Sequence, residues 1–174
     1  MKKLDDKDLW VSWNEYHSII EKLVMIVHSS NWKFDQVLCL ARGGLRPGDV
    51  FSRIFNVPLA ILSTSSYRED AGTVQSELDI GKYIAMSRGV LSGKVLVVDD
   101  LVDSGVTLNK VLDHLKKQYN LVNEVKSAVI WWKSCSFLKP DFYVDYLPNS
   151  PWVHQPFEKY DSLRPNQLVN LNSK

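Results

Sequence analysis

The stretch VVDDLVDSGVTL (Val97–Leu108) decides the fold, because it joins the end of a predicted strand to the start of a predicted helix. Its first residues complete the apolar run KVLVV (94–98), whose length and valine content are typical of a buried strand. From residue 106 to 118, apolar residues recur on one face of a helix. The sequence therefore predicts a strand, a short loop and a helix in direct succession.

Other parts of the chain also have the patterns of strands and helices. Ser12 and Glu15 have the spacing of a capping box at the start of a first helix. We predict helices at 12–30 and about 47–55, and strands at 36–41, 57–62, 125–132 and 141–147. Within the weakly patterned region 68–93, the segment KYIAM (82–86) is interpreted as one arm of a hairpin.

Short apolar strands that alternate with helices indicate an α/β fold with a parallel sheet covered on both faces. The sequence contains no repeat and no linker, which predicts a single domain over 1–174 with its core at about 10–147. The loops that leave the carboxyl ends of parallel strands meet at one edge of the sheet, where ligands bind. Here they are ARGGLRP (41–47), STSSYRED (63–70), DDLVDSGVT (99–107) and KSCS (133–136). All four carry charged or hydroxyl side chains, so we predict a ligand site at this edge.

The small residues of DSGVTL (103–108) suit a phosphate group. Such a loop exposes backbone N–H groups, and the start of the following helix adds partial positive charge. Ser104 and Thr107 add hydroxyl donors. The alternative is an ordinary helix start, in which Ser104 or Thr107 caps the helix and Gly105 permits the turn.

The adjacent acids Asp99 and Asp100 distinguish this loop from a simple turn. Two carboxylates at the end of a strand are unfavourable for stability unless they bind hydroxyl groups or a cation. The vicinal hydroxyls of a sugar and a hydrated Mg²⁺ both fit, because Mg²⁺ prefers a few carboxylates together with substrate oxygens. Asp103 lies three residues further on, where it could serve as an acid or a base. The pattern favours a sugar phosphate with a metal ion.

Three other positions carry candidate binding groups. Arg42 and Gly43 form a second anion site or, alternatively, an ordinary surface turn. Lys133 is either a solvated strand terminus or a donor to a carbonyl oxygen. Trp152 is either a core residue or an aromatic that stacks on a base. Two anion sites at one edge indicate a ligand with phosphoryl groups at both ends.

Composition excludes several classes of function. A formal net charge of +1, without a long Lys/Arg block, argues against nucleic acid as the main partner. Cys39 and Cys135 have no CxxC spacing, so we interpret both as buried, reduced thiols. The start MKKLDDKDLW lacks the apolar stretch of a signal peptide, and no apolar run reaches the ~18 residues that span a bilayer. We expect a cytoplasmic protein without membrane insertion.

With these residues in view, VLVVDDLVDSGVTL (95–108) resembles the phosphoribosyl-diphosphate (PRPP) motif of type I phosphoribosyltransferases. The chain as a whole is most similar to the bacterial xanthine-guanine and hypoxanthine phosphoribosyltransferases. Further matches, which span roughly 10–160 in the family's order, are VSWNEYHSIIEKL (11–23), ARGGLRPG (41–48), SSY (65–67), Lys133 and PWVHQPFE (151–158). At His154 the chain departs from the xanthine-guanine enzymes, which usually have an acid there.

The resemblance implies a Rossmann-like phosphoribosyltransferase fold with a small base-binding hood at about 148–165 and a flexible lid loop that begins at Ser66 and Tyr67. It also implies how the chain would hold PRPP. Asp99 and Asp100 would bind the ribose hydroxyls and Mg²⁺. The 5′-phosphate would lie on Ser104, Gly105, Val106 and Thr107. Arg42 and Gly43 would hold the pyrophosphate, in a loop that often contains a cis, non-proline peptide bond in this family.

On the side of the base, the resemblance implies that Asp103 is the general acid or base near N7 of a purine. Lys133 would donate to the 6-oxo group, Trp152 would stack on the ring, and the backbone of Val153 would meet the 2-substituent. The expected partners are PRPP and a purine base, and the expected assembly is a homodimer or homotetramer.

The implied activity is purine salvage, in which a Mg²⁺-dependent enzyme transfers the phosphoribosyl group of PRPP to guanine, xanthine or hypoxanthine. One alternative is a phosphoribosyltransferase for another nitrogenous acceptor. A second is a non-catalytic regulatory module that senses PRPP or a nucleotide. A phosphatase is disfavoured, because the acids lack the DxD-type spacing expected of an aspartyl nucleophile and its partner.

Overall fold

The computed structural model of the protein describes residues 3–4, 7–65, 79–86 and 88–172. The helices are α1 (Trp13–Ser29), α2 (Leu45–Phe55), α3 (Val106–Gln118), α4 (Lys159–Ser162) and α5 (Pro165–Asn172). The strands are β1 (Lys3–Leu4), β2 (Asp8–Trp10), β3 (Gln36–Ala41), β4 (Leu59–Ser65), β5 (Asp79–Ile80), β6 (Ala85–Met86), β7 (Gly93–Val102), β8 (Val122–Lys133), β9 (Phe142–Leu147) and β10 (Trp152–His154).

The described strands form a large sheet and a small one. In the large sheet, β4, β3, β7, β8 and β9 lie side by side and parallel, which confirms the predicted α/β class. The short strands β5 and β6 pair antiparallel with β4. The predicted arm at 82–86 is thus reduced to Ala85–Met86, whose partner is β4.

Residues 95–98 of β7 are continuously apolar because both faces of the strand are buried there. Leu96 and Val98 pack in the cluster that contains α1 and α2, whereas Val95 and Val97 pack in the cluster that contains α3. All four are at most 1% exposed, so both faces of the strand are buried. The strand also continues beyond the predicted end at 98 and includes the two aspartates.

The small sheet joins residues near the amino terminus to the strand β10. Strand β2 pairs antiparallel with β1 and parallel with β10. The resemblance implied a base-binding hood at about 148–165, and the sheet that contains Trp152 of that range also includes residues near the amino terminus. Within the described part of the chain, no helix is both long and apolar enough to cross a membrane.

Candidate active site

The carboxyl ends of β3 and β7 meet the start of α3 around a cavity of about 280 Å³. The predicted edge of the sheet is therefore where the chain forms a cavity. The predicted catalytic residue Asp103 lines it, together with residues predicted for PRPP, which are Arg42, Gly43, Asp99, Asp100, Ser104, Gly105 and Thr107. Val106, which was also predicted for the 5′-phosphate, is 41% exposed and does not line the cavity.

Asp99 and Asp100 lie within β7 and are partly shielded from solvent. Burial raises the pKa of both carboxyl groups, and the neighbouring charge of Asp100 raises that of Asp99 further. The backbone N–H of Asp100 donates to Asp99 Oδ1 over 2.9 Å, and Gln155 Nε2 donates to Asp100 Oδ2 over 2.5 Å. Among the described residues, no Lys, Arg or His forms an ion pair with either acid. The pair thus concentrates negative charge where a cation would stabilise it.

Asp103 is joined to Lys133 across the mouth of the site. Lys133 Nζ lies 3.3 Å from Asp103 Oδ2, and the lysine is only 5% exposed. The interpretation of Lys133 as a solvated strand terminus is therefore wrong, because β8 carries it into the protein. Its Nζ also lies 5.9 Å from the centre of the Trp152 ring, which is 46% exposed and not a core residue.

A second contact to Asp103 was not predicted. Cys135 Sγ lies 3.3 Å from Asp103 Oδ1, in the loop that follows β8. The expectation that both cysteines are buried is wrong for Cys135, which is exposed, and holds for Cys39. Burial raises the pKa of the Cys39 thiol to about 11. An apolar neighbourhood in the sequence indicated burial, but Cys135 lies in the turn beyond the strand.

The loop before α3, residues 103–105, lacks the side-chain cap of an ordinary helix start. Gly105 is the N-cap residue of α3 and makes no side-chain cap hydrogen bond. Ser104 Oγ accepts only a long hydrogen bond, 3.4 Å, from the N–H of Val106. Gly105 has φ +89°, and a Cβ there would come within 2.6 Å of Ser136 Oγ, so glycine is required.

The loop after β3 brings a cation and a glycine to the same cavity. Arg42 is 85% exposed at its side chain and forms an ion pair of 3.3 Å with Asp161 of α4. The Ala41–Arg42 peptide bond is cis, as the resemblance implied for this loop. Gly43 lies against Asp100 so closely that a Cβ would overlap the carboxylate. The loop after β3 is therefore packed directly against Asp100.

A second cavity of about 340 Å³ adjoins the first and is closed by the segment after β10. Gln155 lies there, and its contact with Asp100 makes it a site residue that the sequence analysis missed. Val153 is 4% exposed with its side chain in the core, which leaves its backbone for ligand contact. The predicted lid residues Ser66 and Tyr67 lie outside the described residues.

Comparisons with known proteins agree with this geometry. The model of the phosphoribosyl transferase domain matches residues 12–162. A xanthine-guanine phosphoribosyltransferase of Idiomarina loihiensis is 26% identical over 156 residues, which cover 89% of each protein. A solved purine phosphoribosyltransferase from Pyrococcus horikoshii is 27% identical with a TM-score of 0.72, over 91% of this chain and 99% of that one.

The Helicobacter pylori xanthine-guanine-hypoxanthine phosphoribosyltransferase has a TM-score of 0.70 at 22% identity, over 96% of this chain and 99% of that one. At that identity the likeness concerns the fold. The family resemblance and the fold class predicted from the sequence are both confirmed.

Proposed function

Because the chain belongs to the phosphoribosyl transferase domain family, we propose that it transfers the phosphoribosyl group of PRPP to a 6-oxopurine in purine salvage. The base would be guanine, xanthine or hypoxanthine, and the products a nucleoside 5′-monophosphate and pyrophosphate. The observation that carries the choice of base is the buried Lys133, whose Nζ is 3.3 Å from Asp103 and 5.9 Å from the Trp152 ring centre.

These three residues suit a 6-oxopurine in different ways. A buried ammonium group only donates hydrogen bonds, so Lys133 favours an oxygen at the 6-position and disfavours an amino group. The half-exposed ring of Trp152 offers a face on which a base can stack. Asp103, 45% exposed at its side chain, can exchange a proton with a ring nitrogen.

The other end of the cavity suits the sugar phosphate. Ser104, Gly105 and Thr107 would hold the 5′-phosphate with backbone N–H and hydroxyl groups at the start of α3. Asp99 and Asp100 would bind the ribose hydroxyls. Ribose separates these acids from the phosphate, so their charges need not oppose its binding.

The acid pair also fits Mg²⁺. Burial raises the pKa values of both carboxyl groups, so a divalent cation would stabilise their ionised forms. Among the described residues, no cluster of three or more acidic, histidine or cysteine side chains could hold a metal ion by itself. Mg²⁺ is commonly held by one or two carboxylates and completed by substrate oxygens. When bound, it would neutralise charge on the departing pyrophosphate. Asp99 and Asp100 are the residues that would hold it.

In the proposed reaction, a purine ring nitrogen forms a bond to C1 of the ribose while the bond from C1 to the pyrophosphate oxygen breaks. Arg42 would exchange Asp161 for the pyrophosphate, because an ion pair between two solvent-exposed side chains, here 85% and 61% exposed, is weak. Asp103 would accept the proton that the purine loses, and Lys133 would hold the 6-oxo group.

The test is pyrophosphate release from PRPP and Mg²⁺ with each base in turn. We expect release with at least one of guanine, xanthine and hypoxanthine, and none with adenine, uracil or orotate. Release with uracil or orotate instead would indicate a different acceptor. Binding of PRPP without release for any base would indicate the non-catalytic module.

A Gly43→Ala substitution should raise KM for PRPP about tenfold, since overpacking at a close contact costs about 1–3 kcal/mol. The added methyl group would displace the Asp100 carboxylate or the loop after β3. Steady-state kinetics at varied PRPP measures the effect. The matched control is Gly89→Asn, where a Cβ meets nothing within 4 Å and φ is +71°, which Asn tolerates. An unchanged KM in Gly43→Ala would contradict the packed arrangement of the loop and the acid.

A further inference from the structure

His154 ends the strand that carries the proposed base-binding residues. Strand β10 pairs in parallel register with β2, so that Trp152 lies opposite Asp8, Val153 opposite Leu9 and His154 opposite Trp10. Two further backbone hydrogen bonds fasten its ends. The N–H of Trp152 donates to the carbonyl of Lys7 over 2.7 Å, and the N–H of Val11 donates to the carbonyl of His154 over 3.1 Å. The position of β10 is therefore set by the strand near the amino terminus.

The imidazole of His154 is held on three sides by protein. Its ring stacks on Trp10, with 3.7 Å between centroids and 8° between planes. Nε2 lies 2.7 Å from Asp8 Oδ1, and Nδ1 lies 3.7 Å from Glu158 Oε2. Burial raises the pKa of Glu158, and the nearby His154 acts in the opposite direction. With a carboxylate at each nitrogen and an indole against one face, this ring is directed at protein groups and not at a base.

We propose that His154 is a positioning residue for base recognition, which clamps β10 to β2 through Asp8 and Trp10 and so places Trp152 and the Val153 backbone. This inference rests on the proposed function, because it assumes that Trp152 and Val153 bind a purine base. It assigns the residues Asp8–Trp10 to the wall of the base site.

The clamp should act more strongly on one substrate than on the other. The PRPP side of the proposed site is built from β7, α3 and the loop after β3, and none of these elements pairs with β10 or β2. Its contacts with the following segment, Gln155 to Asp100 and Asp161 to Arg42, come from residues after β10. Loosening β10 should therefore weaken the binding of the base more than the binding of PRPP.

The experiment measures KM for the active purine and KM for PRPP in His154→Ala and in the milder Asp8→Asn. We expect KM for the purine to rise about tenfold in His154→Ala, the cost of a charge-assisted hydrogen bond, with less than a twofold change for PRPP. The matched control is His28→Ala, an exposed histidine near the end of α1, which should leave both values unchanged. Unchanged base affinity, or an equal rise for both substrates, would overturn the inference.

A double-mutant cycle tests the contact itself. If Asp8 and His154 act through one another, the effects of Asp8→Asn and His154→Ala on KM for the purine will be strongly non-additive in the double variant. Additive effects would overturn the clamp even if each single variant binds the base weakly. Failure of the proposed function is distinguishable, because the wild-type protein would then release no pyrophosphate with any purine, and the inference would fall with it.

Discussion

An Asp103→Asn variant should lose about 10²–10⁴-fold in kcat, the usual contribution of a positioned general acid or base. The amide has the size of the carboxylate but cannot take up a proton at this position. Asp103 lies in the cavity, 3.3 Å from Lys133 Nζ, and is 45% exposed at its side chain, so its replacement should leave the fold intact. Pyrophosphate release at saturating substrates measures the loss.

The same variant should still bind PRPP, because the proposed phosphate contacts come from Ser104, Gly105, Thr107 and Arg42. Equilibrium binding of PRPP therefore separates loss of proton transfer from loss of the site. Asp113→Asn is the matched control, since Asp113 is an exposed acid of α3 paired with Lys117 at 3.9 Å. Near-wild-type turnover in Asp103→Asn would remove Asp103 from the reaction.

The parts of the fold that were predicted well depend on local sequence. Helix α1 begins with the predicted capping box, in which Ser12 Oγ accepts from the N–H of Glu15 and the Glu15 carboxylate accepts from the N–H of Ser12. Strand β3 and helix α3 have the predicted bounds, 36–41 and 106–118. The sequence features that predict each of these elements lie within or next to the element, so contacts with distant residues were not needed to find it.

Other strands and helices begin or end at residues that differ from the prediction, because contacts with distant parts of the chain set their ends. Strand β7 runs on to Val102 because Leu101 and Val102 pair with Trp131 and Trp132 of β8. The acids Asp99 and Asp100 thereby lie inside the strand and not after it. Helix α2 starts at Leu45, and β4 runs from Leu59 to Ser65 instead of 57–62.

The part of the site proposed for the base was the least predictable, since its contacts join residues far apart in the chain. Asp8 and His154 are separated by 146 positions, and Gln155 and Asp100 by 55. No periodicity or spacing connects such pairs. The exposure of Trp152 and the burial of Lys133 likewise depend on packing between distant parts of the chain.

The described contacts connect the two sides of the proposed site, one for PRPP and one for the base. The proposed PRPP side is assembled from β7, the start of α3 and the loop after β3, and the proposed base side from Lys133 and the segment at 152–158. Two bridges connect the sides, namely Asp103 to Lys133 and Asp100 to Gln155. Asp103, in the loop after β7, is thus linked to the end of β8, and Asp100, within β7, is linked to the segment that follows β10.

Mg²⁺ should stabilise the wild-type protein without substrate, and Asp99→Asn should remove this effect. At a Mg²⁺ concentration ten times its Kd, binding contributes about 1.4 kcal/mol, which corresponds to about 3–6 °C in Tm for a chain of this size. The variant should also have a higher Tm than the wild type at neutral pH in the absence of Mg²⁺. It replaces a carboxylate whose ionised form is disfavoured by burial and by its charged neighbour.

The dependence on pH gives an independent check of the same acids. The pKa values of Asp99 and Asp100 are raised in the folded protein, so the folded state binds more protons than the unfolded state once the pH exceeds the ordinary range of a carboxyl group. Stability from this source is fully present below that range and is lost as pH rises through the folded-state values. Thermal unfolding between pH 4 and 8 should show the loss in the wild type, a smaller loss with Mg²⁺ and a smaller loss in Asp99→Asn. An equal Mg²⁺ shift in the wild type and the variant would place the cation elsewhere, with Asp113→Asn as the control that keeps the wild-type response.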